Sequence, residues 1–142
     1  MTRAPGASAR AIEAFLSEHF SQGQPAQVEY ADGQRAVVRL AFDPSQIRPG
    51  GTISGPTMMS LADTAMYALI FSAIGIVPLA VTTNLSINFL RKPGPGDIAA
   101  QARMLKLGKA LAVGEVDIRS VGAHSPAAHA VVTYSIPPDA RP

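Results

Sequence analysis

The sequence predicts an α+β fold in which a curved antiparallel sheet of about six strands wraps around one long central helix. Three observations point there. The stretch from Pro56 to about Ile74 is apolar nearly all round and holds one charged residue, as expected of a helix buried on every side. Six shorter runs have strand character, and four of them follow that helix in succession. No internal repeat or linker divides the 142 residues, so a single domain spanning 1–142 is expected, with 1–7 and 137–142 as loose tails.

Taken in order, Ala9 to Phe20 reads as a short amphipathic helix, with Ile12, Phe15, Leu16 and Phe20 at helical spacing behind Ser8 as N-cap. A connector, Gln22 to Ala26, leads to strands at Val28–Ala31 and Gln34–Phe42. Asp32-Gly33 between them is a two-residue hairpin signal that requires positive φ at both positions. Asp43 to Gly55 is a loop rich in Pro, Gly and Ser. Pro56 then sits at the first helical position, where its missing N–H costs nothing, and Gly75 with Pro78 stops the helix. Val81 to Leu90 alternates, placing Val81, Thr83, Leu85, Ile87 and Phe89 on one face. After the turn RKPGPG come strands Ile98–Leu107 and Leu111–Ser120, joined at Gly108-Lys109, and a last strand His129–Ile136.

Composition narrows the function. The hydrophobic fraction is 47% against 15% charged, low in charge for a monomer, so self-association as a homodimer or dimer of dimers is expected. The absence of cysteine removes thiol nucleophiles, disulfides and Cys-based zinc sites, and fits a cytoplasmic setting. His19, His124 and His129 have no metal-ligand spacing, so no metal is expected. With a net charge of +2 and scattered basic residues, nucleic acid is not an expected partner. The N-terminus has no apolar core of a signal peptide. Met58 to Val81 approaches the length that spans a bilayer, but Asp63, Gly75 and Pro78 favour a buried core helix, so no membrane is expected either.

Asp63 is the one acid in this apolar stretch. A carboxylate there is costly unless it is hydrogen-bonded or used, so it reads either as a general base or nucleophile or as a local cap. Gly55 at the helix start can offer its N–H, aided by the helix dipole, to an oxygen gaining negative charge; it is equally a simple helix-start glycine.

The segment GGTISGPTMMSLADTAMYAL, followed by a strand ending INFLRKPGPGD, resembles the hotdog-fold acyl-CoA thioesterases, closest to the phenylacetyl-CoA and 4-hydroxybenzoyl-CoA type. The resemblance spans about Arg48 to Tyr134. It implies hydrolysis of an acyl-CoA thioester, with Asp63 as base or nucleophile and Gly55 as oxyanion donor. Thr82 stands where some relatives carry a Ser and is the expected holder of the attacking water, with Thr83 beside it. Ser54 and Pro56 replace the family's His and second Gly around Gly55, and Arg48 stands where some members carry Asn or Gln. These departures motivate the alternative of a hotdog domain that binds acyl thioesters without hydrolysing them. Tyr67 is expected in the acyl pocket, and Arg91 and Lys92 at the coenzyme A phosphates, with Lys106 and Lys109 as further point charges. No cofactor is expected beyond coenzyme A as part of the substrate.

Spacing adds a constraint. Eight residues of helix separate Gly55 from Asp63 by about 12 Å, too far for both to act on one carbonyl, so catalysis by the pair requires the Gly55 of a second subunit. The leaving thiol, with a pKa of about 8.5, needs no strong general acid, which fits the absence of a G-x-S-x-G elbow. A rival reading takes Gly94-Pro95-Gly96-Asp97-Ile98-Ala99, with Glu115 and Asp117 beyond, as a dinucleotide-binding turn; it requires a helix at 98–107.

Overall fold

In the computed structural model, which describes residues 6–20 and 26–138, a single long helix lies in the hollow of a six-stranded sheet. Helix α1 (Ala9–His19) is capped by Ser8, whose Oγ accepts the Ala11 N–H at 3.1 Å, and buries Ile12 and Leu16. Strands β1 (Ala26–Ala31) and β2 (Arg35–Leu40) form the first hairpin. A 3-10 turn at Pro44–Gln46 leads to a small ribbon of β3 (Ile47–Arg48) and β4 (Thr52–Ile53), where the sequence predicts only loop. Asp43 and Gln46 exchange side-chain-to-backbone bonds across that turn, which orders it locally. Helix α2 (Gly55–Ile74) follows, then β5 (Val81–Phe89), β6 (Ile98–Leu107), β7 (Leu111–Ser120) and β8 (Ala128–Ser135).

The large sheet runs β1-β2-β6-β7-β8-β5, antiparallel throughout. Residues 98–107 are a strand, which removes the dinucleotide-binding reading of Gly94 to Ala99.

Small side chains let the sheet close on the helix. Ala36, Ala100, Ala102, Ala112, Ala128 and Ala130 line its inner face with little or no exposure. Gly114 lies under Met66, where an added Cβ would stand 2.5 Å from Sδ. The helix is long and apolar enough to cross a membrane by length and composition. Here it is enclosed: Ala62, Ala65, Met66, Ala68, Leu69, Ile70 and Phe71 have no exposed surface. Gly75, at φ 94°, ends it and donates its N–H to Phe71 O.

Three expectations are corrected. The hairpin turn uses positive φ only at Gly33, because the Asp32 carboxylate accepts the N–H groups of Gln34 and Arg35 and so shapes a longer turn. The alternation of β5 is broken by a bulge between Thr82 and Asn84, with consequences given below. Of the stretch expected to be loose, Gly6 and Ala7 are packed on the end of α2, with Ala7 N–H bonded to Phe71 O at 2.9 Å. Residues 1–5, most of the connector at 22–25, and 139–142 lie outside the described residues.

Candidate active site

Asp63 lies two turns inside α2, on the side of the helix covered by β5 and β8. Its Oδ1 accepts hydrogen bonds from Thr82 Oγ1 at 2.5 Å and from Tyr134 Oη at 2.9 Å. The Tyr134 hydroxyl also reaches the main-chain oxygen of Asp63 at 3.1 Å. Oδ2 accepts no hydrogen bond from any described residue. A half-buried carboxylate in an apolar helix is thus held at one oxygen and left unpartnered at the other.

The bulge explains which threonine does this. Thr82 pairs with Tyr134 and Leu85 with Val132, two residues that face the helix, whereas strict alternation from Leu85 would turn Thr83 inward. One extra residue at the bulge restores Thr82 to the inner face and leaves Thr83 outside the ladder, its hydroxyl bonded to Thr133 O at 3.3 Å. Residues that sequence alternation assigns to one face are therefore split.

The carboxylate opens onto a cavity of about 430 Å³. Leu16 from α1, Phe20 just after it, Leu40, Leu61, Pro78, Ala80 and Val81 supply apolar walls, and Asp63, Thr64, Tyr67, Thr82 and Tyr134 supply polar groups. Tyr67 donates its hydroxyl to Pro78 O at 2.9 Å. Its ring stacks against Tyr134 with centroids 5.9 Å apart, and meets Phe71 and Phe20 on other sides. Burial pushes the Tyr134 phenol far above its ordinary value, with the Asp63 charge adding to the effect. Burial, and then the same charge, also raises Tyr67. Both phenols therefore remain protonated donors throughout the neutral range.

Asp63, Thr82 and Tyr67 line one cavity, and Tyr134 joins them. Sequence reading passes over Tyr134, although a tyrosine closing the inward row Ala128, Ala130, Val132 needs a partner for its hydroxyl. Of the other predicted residues, Thr83 lies beside Thr82 outside the ladder, and Gly55, Ser54, Pro56, Arg91 and Lys92 gather at the start of α2. Gly55 packs against the Phe89 ring, 3.2 Å from where its Cβ would be. Helix start falls at Gly55, so Pro56 occupies the second helical position rather than the first. Ser54 Oγ accepts the Thr57 N–H at 3.2 Å and contacts the Thr57 hydroxyl at 2.8 Å, and Met58 N–H reaches Ser54 O. Pro56 has no N–H. The first turn therefore leaves one donor, Gly55 N–H, without a partner among the described residues. Arg91 and Lys92 follow Phe89 at this same end; Arg91 donates to Pro126 O at 2.8 Å, and both side chains are exposed. Neither the Gly55 group nor these cations line the Asp63 cavity.

A curved antiparallel sheet closed around one helix, with a helix carboxylate facing a cavity, defines a hotdog-fold protein. The chain belongs to the thioesterase superfamily, whose family model matches residues 50–127. It is 43% identical to a Silicibacter protein assigned as a thioesterase, over 92% of both chains, with a TM-score of 0.83. The thioesterase of Haemophilus influenzae shares the fold at 18% identity and TM-score 0.81, over 95% of this chain and 94% of that one. Zebra fish thioesterase superfamily member 2 does so at 22% and 0.80, over 93% of this chain and 100% of that one. No curated protein matches. Superfamily membership supports thioester hydrolysis as the general class of reaction.

Proposed function

We propose that the protein is an acyl-CoA thioesterase, releasing free acid and coenzyme A with Asp63 as the acting group. The observation that carries this is the Asp63 carboxylate, held by Thr82 at one oxygen and open at the other on an apolar cavity. As general base, Asp63 takes a proton from water while the water oxygen adds to the thioester carbon. The C–S bond then breaks and the thiolate leaves. As nucleophile, Asp63 bonds the acyl carbon directly, the thiolate leaves, and water cleaves the resulting anhydride. In either case the Thr82 hydrogen is spent on Asp63, so Thr82 serves the attacking water as an acceptor.

The oxyanion donor comes from a second subunit. Gly55 N–H is the open donor of the first turn, and its helix end lies away from the Asp63 cavity of the same chain. An antiparallel two-fold pairing of α2 helices brings it to the partner's Asp63. Because Arg91 and Lys92 lie beside Gly55, they arrive with it, placed for the phosphates of coenzyme A. Strand β5, the exposed edge of the sheet, is the element that pairs.

The Ser54 and Pro56 departures do not favour the binding-only alternative. Ser54 satisfies one amide and Pro56 removes another, which leaves the Gly55 donor in place. The test is thiol release from a panel of acyl-CoAs by wild type and Asp63→Asn. Turnover lost with folding intact supports the enzyme; equal, negligible release from both supports the binder.

A further inference from the structure

We propose that Tyr134 is a positioning residue for Asp63, acting with Thr82 to immobilise Oδ1 so that Oδ2 is the oxygen that reacts. The inference rests on the reading of Asp63 as the acting group, and adds which of its oxygens acts and what aims it.

A buried tyrosine hydroxyl requires one partner. The single Tyr134 proton is shared between two acceptors, both of Asp63: Oδ1 at 2.9 Å and the main-chain oxygen at 3.1 Å. One hydroxyl thus ties the carboxylate to the backbone that bears it, and rotation about either side-chain torsion of Asp63 breaks that tie. Thr82 adds a second donor to the same Oδ1 from a different strand. Hydrogen bonds to an ionised acceptor are stronger than neutral ones, so the pair fixes the carboxylate plane more firmly than either alone.

The supports are themselves rigid. The Tyr134 ring stacks on Tyr67, whose hydroxyl is bonded to Pro78 O, and Tyr67 packs in turn on Phe71. Thr82 pairs with Tyr134 across β5 and β8, so the two hydroxyls are fixed relative to each other by the sheet ladder and by the bulge that turns Thr82 inward. Burial keeps the phenol protonated, hence a donor. Oδ2 is left without a partner among the described residues, in a side chain that lines the cavity. Misplacement of a reacting group by about 1 Å costs up to about 100-fold in rate, which sets the scale of the effect.

The test measures kcat and KM separately for acyl-CoA hydrolysis by Tyr134→Phe, Thr82→Val, Thr82→Ser and Asp63→Asn. The expected result is a kcat for Tyr134→Phe about 10- to 100-fold below wild type with KM unchanged. Thr82→Val falls likewise, and Thr82→Ser, which keeps the hydroxyl, stays close to wild type. Wild-type kcat in a folded Tyr134→Phe, with Asp63→Asn inactive, overturns the proposal and leaves the Asp63 reading standing. A rise in KM at unchanged kcat for Tyr134→Phe also overturns it, since that outcome marks a pocket wall. Full turnover by Asp63→Asn overturns the Asp63 reading itself. Should Tyr134→Phe lose its cooperative melt, the threonine pair decides: equal kcat in Thr82→Val and Thr82→Ser overturns the proposal.

Discussion

The start and the middle of α2 solve opposite problems. At Asp63 a charged group sits in an apolar helix, and its own chain answers with two hydroxyls on one oxygen and a cavity beside the side chain. At Gly55 the capping is selective: Ser54 takes the Thr57 amide, Pro56 removes the one before it, and one donor is left open beside the Phe89 ring. The carboxylate finds its partners within a single chain, whereas the half-buried Gly55 donor has none among the described residues. A donor and a carboxylate eight residues apart on one straight helix cannot meet each other, so on the proposed reading each presents half of a site.

Subunit mixing breaks or sharpens this contrast most sharply. Gly55→Pro deletes the open N–H at a position where φ suits proline, and the half-exposed Phe89 ring has room to yield. Loss of an oxyanion donor lowers kcat about 10²- to 10³-fold. Co-refolding that variant with Asp63→Asn gives mixed dimers in which one site carries both defects and the other neither. If the sites span two chains, statistical mixing restores about a quarter of wild-type activity. If Gly55 and Asp63 act within one chain, mixing restores nothing.

The Asp63 end has its own signature at high pH. The folded Tyr134 phenol is raised, chiefly by burial, so the folded state holds its proton more tightly than the unfolded chain does. Stability from this group is fully present below the unfolded value of about 10, and declines as pH rises beyond it. Thermal melts across the alkaline range should fall more steeply for wild type than for Tyr134→Phe.

The smallest effect belongs to the Gly55 end. Ser54→Ala frees the Thr57 amide and costs about 1 kcal/mol, read as a lowered midpoint in urea. A much larger loss would mean that Ser54 does more than cap.

The helix was legible because its composition declares it: one acid in a long apolar run, a proline near its start and a glycine at its end. The strands after it alternate clearly enough to be placed within a residue or two. What alternation could not convey is the bulge in β5, because a bulge is a property of two paired strands and leaves no mark on one of them. That single residue decides whether Thr82 or Thr83 meets Asp63. Tyr134 escaped for a related reason, since its partner is distant in the chain and only the sheet order brings β8 beside β5 over that face of α2. The hairpin at Gly33 was found but its turn mistaken, because the Asp32 side chain takes the place of a second positive φ.

The pairing of β2 with β6 has a further consequence, for how the chain reaches this structure. These strands lie on either side of α2 and β5 in the sequence, yet are neighbours in the sheet, matched from Arg35 with Arg103 to Leu40 with Ile98. Each local hairpin can form early, but joining β2 to β6 closes a long loop whose entropic cost precedes any reward from contacts. The search should therefore be slow beside that of a helical bundle of similar size, and until the seam closes the apolar face of α2 has no cover. A stopped-flow refolding trace that loses amplitude to aggregation as protein concentration rises is the expected mark of that interval.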